Sequence, residues 1–153
     1  MNHVVVALPE PLAPKGKTTV EIEYEGPLLG YSETGMLYVK DKIDPEFTIL
    51  RMDAYAYPVQ GAPSRAMNRR SPLYKYTYTA RIEVPKELVV ANGGHLDGVE
   101  SAGDRATYTF SSIKPSWRMD FAIAKYGELS SGPIRIFHLP GDKAGAESVA
   151  QAA

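Results

Sequence analysis

Three histidines, His3, His95 and His138, are the side chains of this chain best suited to ligate a metal or carry a proton near neutral pH. Their spacing supports neither role. None belongs to an HExxH pair, and no other spacing puts two imidazoles on one helical face. They read as ordinary surface or partly buried residues. Nucleophilic chemistry has as little to work with. There is no cysteine and no GxSxG elbow, and Ser64 follows Pro63 with no histidine close in sequence. A phosphate-cradling glycine loop with its lysine is also missing. Arg65, Arg69 and Arg70 precede Tyr74, Tyr76 and Tyr78, and basic residues beside aromatic ones can hold single-stranded nucleic acid on a β-face. The plainer reading is preferred: the tyrosines form a core-facing stripe and the arginines solvate a loop, so no nucleic-acid partner is expected. Glu21, Glu23 and Glu25 share one face of a strand-like run, where mutual repulsion suits solvent or a basic partner.

One constellation stands out. Arg51, Asp53, Tyr55, Tyr57 and Gln60 lie at the start of a long irregular segment, Asp53 to Pro72. Pro58, Gly61, Pro63 and Pro72 keep that segment out of any central strand. A loop of this length in a compact domain is usually functional or mobile. Read from residue types alone, the tyrosines close one end of a β-domain and the prolines stiffen the turn.

The elements that must position these residues are strands. In KTTVEIEYEG, Val20, Ile22 and Tyr24 alternate with Thr19, Glu21, Glu23 and Glu25. From Tyr74 to Val84, even-numbered Tyr74, Tyr76, Tyr78, Ala80, Ile82 and Val84 oppose Lys75, Thr77, Thr79, Arg81 and Glu83. Shorter strands are expected at Val4 to Leu8, Met36 to Lys40, Phe47 to Arg51, Leu88 to Ala91, Ala106 to Phe110, Phe121 to Tyr126 and Ile134 to Leu139. Glycine, proline and asparagine turns separate them, notably Asn92-Gly93-Gly94, where His95 is expected to sit in the turn, Ala102-Gly103-Asp104 and Gly132-Pro133. The expected fold is an all-β, antiparallel, sandwich-like and saddle-shaped domain with a short C-terminal helix. The helix is expected in GDKAGAESVAQAA, which reads as the first turns of a helix. The expected division is a β-domain over residues 1–140 and the start of a following helical unit over 141–153.

Bulk properties limit the alternatives. The 153 residues suit one domain, and 44% hydrophobic with 23% charged residues is ordinary globular composition. A net charge of -1 gives no electrostatic case for nucleic acid or an anionic membrane. No window is long and apolar enough to span a bilayer, so no membrane contact is expected from this segment. Without cysteine, the redox compartment stays open.

Several pieces, in collinear order over nearly the whole chain, resemble the N-terminal β-domain of zinc metallopeptidases of the aminopeptidase N and leukotriene hydrolase family. The loop Tyr57-Pro58-Val59-Gln60-Gly61-Ala62-Pro63-Ser64 is similar to that family's Phe-Pro-Cys-x-Asp-x-Pro turn. The strand Tyr74 to Val84 is followed by Pro85-Lys86-Glu87-Leu88 and Ala91-Asn92-Gly93, as in the family's VPK-x-L and SNG or ANG turns. ATYTFSSIKPSWRMDFAIAKYGEL resembles its paired strands, PLAPKGKTTVEIEYEGPL the strand upstream of its loop, and PIRIFHLPGDKAGAESVAQAA the opening of its catalytic domain.

The resemblance implies that this chain is non-catalytic. It implies first strands before Met1, and a zinc-bearing HExxH and a GxMEN-type motif beyond Ala153. In the parent enzyme, zinc-bound water would attack the peptide carbonyl with a glutamate as base. The β-domain would pack on the catalytic domain of the same polypeptide and line the peptide cleft with Arg51, Asp53, Tyr55, Tyr57 and Gln60. Val59 and Gly61 stand where the family has Cys and Asp, and Ile49 to Arg51 lack the carboxylate or amide that helps hold a substrate amine. The resemblance with these departures implies a parent that is a divergent peptidase or an inactive relative. A fragment with a bare sheet edge is expected to form a strand-mediated homodimer. From a different class, the alternative is a stand-alone β-sandwich module that binds carbohydrate or protein through exposed tyrosines.

Overall fold

The structure, a computed structural model, describes residues 5–26, 43–44, 46–52, 56–58 and 75–153. Eight strands and one helix follow each other along the chain: β1 (Phe47–Leu50), β2 (Thr79–Pro85), β3 (Val89–Asn92), β4 (His95–Ala102), β5 (Arg105–Ser111), β6 (Phe121–Ala124), β7 (Gly127–Ser131), β8 (Ile134–His138) and α1 (Lys143–Ala152). Every strand pair is antiparallel. One sheet has the order β1-β6-β3, a second β2-β5-β4, and β7 and β8 form a separate hairpin. This is the all-β, antiparallel sandwich-like domain with a short C-terminal helix that the alternation predicts.

The two three-stranded sheets share one core. Ala80 and Val84 of β2 and Phe110 of β5 meet Val90 of β3 and Phe121 and Ile123 of β6. The Phe110 and Phe121 rings lie 6.2 Å apart and tilted by 59°, so an aromatic contact joins one sheet to the other. β2 shows why its sequence pattern is informative. Tyr76, Tyr78, Ala80, Ile82 and Val84 are buried or half-buried, whereas Lys75, Thr77, Thr79, Arg81 and Glu83 are exposed. Tyr74 lies outside the described residues.

Turn chemistry sets the hairpins. Gly103 (φ 60°) begins the two-residue link from β4 to β5, and Gly132 (φ 54°) begins the link from β7 to β8. A positive φ at the first central residue alone suits a type II′ turn, whose twist matches that of the strands. β4 carries a bulge between Leu96 and Gly98, which leaves Asp97 without an opposite residue on β5. β7 and β8 are held by a bidentate ion pair, with Arg135 donating to Glu128 at 2.7 and 2.8 Å. Helix α1 packs on this hairpin and buries Ala146.

The N-terminal segment departs from expectation. Residues 5–26 contain no strand, although strands are expected at Val4 to Leu8, of which Val4 lies outside the described residues, and at Val20 to Tyr24. Val20, Ile22 and Tyr24 are 47%, 46% and 61% exposed. Alternation gives a segment a β-like apolar side, but a strand forms only where a sheet edge receives its backbone. The expected strand Met36 to Lys40 lies outside the described residues. Two further differences are additions. β4 begins at His95, which belongs to a strand and not to the preceding glycine turn, and β7 occupies Gly127–Ser131, where no strand was expected.

Candidate functional site

Of the five predicted cleft residues, Arg51 and Tyr57 are described, and Asp53, Tyr55 and Gln60 lie outside the described residues. Arg51 directly follows β1, and its carbonyl accepts a hydrogen bond from Ala56 N at 3.2 Å. The Tyr57 hydroxyl accepts from the backbone N–H of Met119 at 3.0 Å. This bond links the long loop to the connection between β5 and β6, 62 residues away in sequence.

That connection runs back past the residues that lead into β2. Tyr76 and Ser116 form an antiparallel bridge, with N–O distances of 2.9 and 3.0 Å. Burial raises the Tyr57 pKa well above the ordinary phenol value. The hydrogen bond from Met119 opposes that shift, and the neighbouring Tyr76 hydroxyl and the Asp120 charge reinforce it. Tyr57 is therefore a neutral hydroxyl at any physiological pH, suited to anchoring and not to proton transfer. The Tyr76 hydroxyl is buried beside it without a well-formed hydrogen bond. Arg118 pairs with Asp120 at 2.7 Å, and its guanidinium sits 4.9 Å from the centre of the Trp117 ring. Asp120 uses Oδ2 in that pair, while its Oδ1 is buried without a hydrogen bond. Trp117 remains 36% exposed, so an aromatic face and a cation lie together at the base of the loop.

A second knot holds the strand ends below this site. Asn92 Oδ1 accepts from the Tyr78 hydroxyl at 2.9 Å and from Gly94 N at 2.8 Å, and Asn92 Nδ2 donates to the Asp120 carbonyl at 2.7 Å. One amide thereby fixes the start of β2, the end of β3 and the approach to β6. Trp117, Arg118, Asp120 and Asn92 were not singled out from sequence as site residues. The tryptophan, the only one in the chain, was the one available signal for its neighbourhood.

The histidines form no catalytic arrangement among the described residues. His95 Nδ1 lies 2.8 Å from Asp97 Oδ1, and the Ser111 hydroxyl donates to that same oxygen at 2.9 Å. The hydroxyl thus faces the carboxylate and not the imidazole, the reverse of what an activated nucleophile needs. The hydrogen bonds from His95 and Ser111 lower the Asp97 pKa. His138 ends β8, with Nδ1 3.0 Å from the Leu139 carbonyl. Among the described residues, no group of three or more His, Cys, Asp or Glu side chains is placed to hold a metal, and no helix is long and apolar enough to cross a membrane. No family model, no curated protein and no solved structure matches this chain.

Proposed function

We propose that this chain is a non-catalytic β-domain of an aminopeptidase-like zinc metallopeptidase, packing on the catalytic domain and lining its substrate cleft with the loop that holds Tyr57. The supporting observation is the anchoring of that loop. Tyr57 is fixed to Met119 across 62 residues, beside the Trp117–Arg118–Asp120 cluster. A cleft wall needs such a loop on a rigid frame, because binding surfaces work best when preorganised. The zinc and its ligands belong to the catalytic domain in this reading, and the residues of this chain supply shape.

Two measurements test it. The purified chain, given zinc and aminoacyl amide substrates, is expected to release no product above the buffer rate, and robust hydrolysis would overturn the proposal. The native gene product in its source cells is expected to have a mass several times 16.8 kDa. A native product of only 16.8 kDa would favour a second reading, a self-contained binding module. The half-exposed Trp117 stacked on Arg118 supports that alternative, since such a face suits a sugar ring or a protein side chain. Saturable glycan binding lost on Trp117→Ala would establish it.

A further inference from the structure

Among the described residues, the sandwich is open along one side. β1 ends one sheet and β2 ends the other. Between them lies a groove of about 450 Å³, lined by Leu50, Ile82, Val84, Leu88 and Ile123, with Glu83 and Glu87 at its rim. Among the described residues, no strand pairs with the outer edge of β2. The chain also carries a segment patterned as a strand but without a sheet, Lys17 to Glu25. Its apolar side chains Val20, Ile22 and Tyr24 are exposed, and the Tyr24 hydroxyl is tethered to the Ala56 carbonyl at 3.2 Å.

We infer that the segment Lys17 to Glu25 of one copy adds as an antiparallel edge strand to β2 of a second copy, and receives the same strand in return. Covering the groove selects the register, because Val20 must reach Ile82, and Glu21 then meets Arg81. Setting Glu21 opposite Arg81 puts Ile22 against Ala80, Val20 against Ile82 and Tyr24 against Tyr78. The apolar side then covers the groove. On the outer face, Glu21 meets Arg81, Glu25 lies diagonal to Lys75, and Lys17 lies beside Glu83. Opposite charges at such positions favour pairing, and like charges oppose it. Arg81 is available for this contact, because its ion pair with Glu100 is long at 3.6 Å and both side chains are mostly exposed. The far edge of the same sheet is unsuitable. β4 carries the Asp97 bulge and Glu100, and both would turn away a glutamate-rich strand. Two tethered segments and two β2 edges, related by a twofold axis, leave no strand over, so the assembly closes as a dimer. This inference is independent of the peptidase reading.

Light scattering on the 153-residue chain is expected to give twice the mass of 16.8 kDa at tens of micromolar. Arg81→Glu is expected to weaken the dimer by about tenfold, and Arg81→Glu with Glu21→Arg to restore it, as charge pairs of this kind predict. Both positions are exposed, so circular dichroism should be unchanged. The chain has no native cysteine, which makes cross-linking clean. Mixing Glu21→Cys chains with Arg81→Cys chains should give an oxidised heterodimer. A monomer at all concentrations, a dimer indifferent to Arg81→Glu, or a disulfide that forms only within a chain carrying both cysteines would each overturn the inference.

Discussion

Replacing Asn92 tests the knot beneath the loop. Its side chain makes three hydrogen bonds, at 2.9, 2.8 and 2.7 Å, to Tyr78, Gly94 and Asp120. Each is half-buried, so water replaces the lost partner only in part. At roughly 1 kcal/mol net for each bond, Asn92→Ala should cost about 3 kcal/mol. Tyr78→Phe removes one of the three and leaves Asn92 Oδ1 still paired with Gly94, so it should cost about 1 kcal/mol. In the Asn92→Ala background, the Tyr78 hydroxyl has already lost its partner. Tyr78→Phe should then cost almost nothing, and the two changes should be clearly non-additive. Urea titration followed by tyrosine and tryptophan fluorescence gives all four stabilities. The reasoning fails if Asn92→Ala costs less than about 1 kcal/mol, or if the two changes simply add.

Three other outcomes follow from the same geometry. A methyl group on Gly94 would meet the Ser111 carbonyl at 2.5 Å, a backbone atom that cannot move aside, whereas one on Gly127 would press on the mobile end of His138. Urea midpoints should therefore show Gly94→Ala costing about 1–3 kcal/mol and Gly127→Ala much less. Tyr57→Phe leaves the Met119 N–H without its acceptor, so hydrogen exchange at Met119 should quicken and stability fall by about 1–2 kcal/mol. Glu128 has its pKa lowered from the usual 4.5, chiefly by the hydrogen bonds from Arg135. A depressed folded value means that the pair stabilises above the ordinary carboxylate range and that this contribution is lost as pH falls through the depressed value. The pair is partly solvated, so Glu128→Gln should remove about 0.5 kcal/mol near neutrality and flatten the acid limb of the stability profile.

Sequence made β2 legible because its apolar side meets a core, so that chemistry and burial carry the same period of two. The segment Thr18 to Glu25 has an equally clean pattern and forms no strand, because pairing depends on an edge that local sequence cannot specify. β4 and β7 were hidden for the opposite reason. HLDGVESA exposes seven of its eight residues, so no alternation marks it, and GELSS is short and carries a single apolar side chain, Leu129. Their strand form comes from the neighbouring strand and from the positive φ of Gly103 and Gly132. At the site, Tyr57 was visible as an aromatic residue in a proline-rich loop. Its partner Met119, and the Arg118–Asp120 pair beside it, were not, since a backbone N–H 62 residues away leaves no mark in sequence.

The two hydrogen-bonded knots bear differently on function. Asn92 joins strand ends from both sheets, so its loss should weaken the whole sandwich. Tyr57 joins the loop to the connection between β5 and β6, so its loss should loosen the loop there while the strands stay paired. A segment anchored through a side-chain hydroxyl can be loosened without unfolding its support. If the loop lines a cleft in a larger enzyme, Tyr57→Phe should impair substrate binding more than its small stability cost implies. Tyr78→Phe has a similar cost but touches only the frame, and should leave binding unchanged. That pair of substitutions separates a role in presenting the loop from a role in holding the fold.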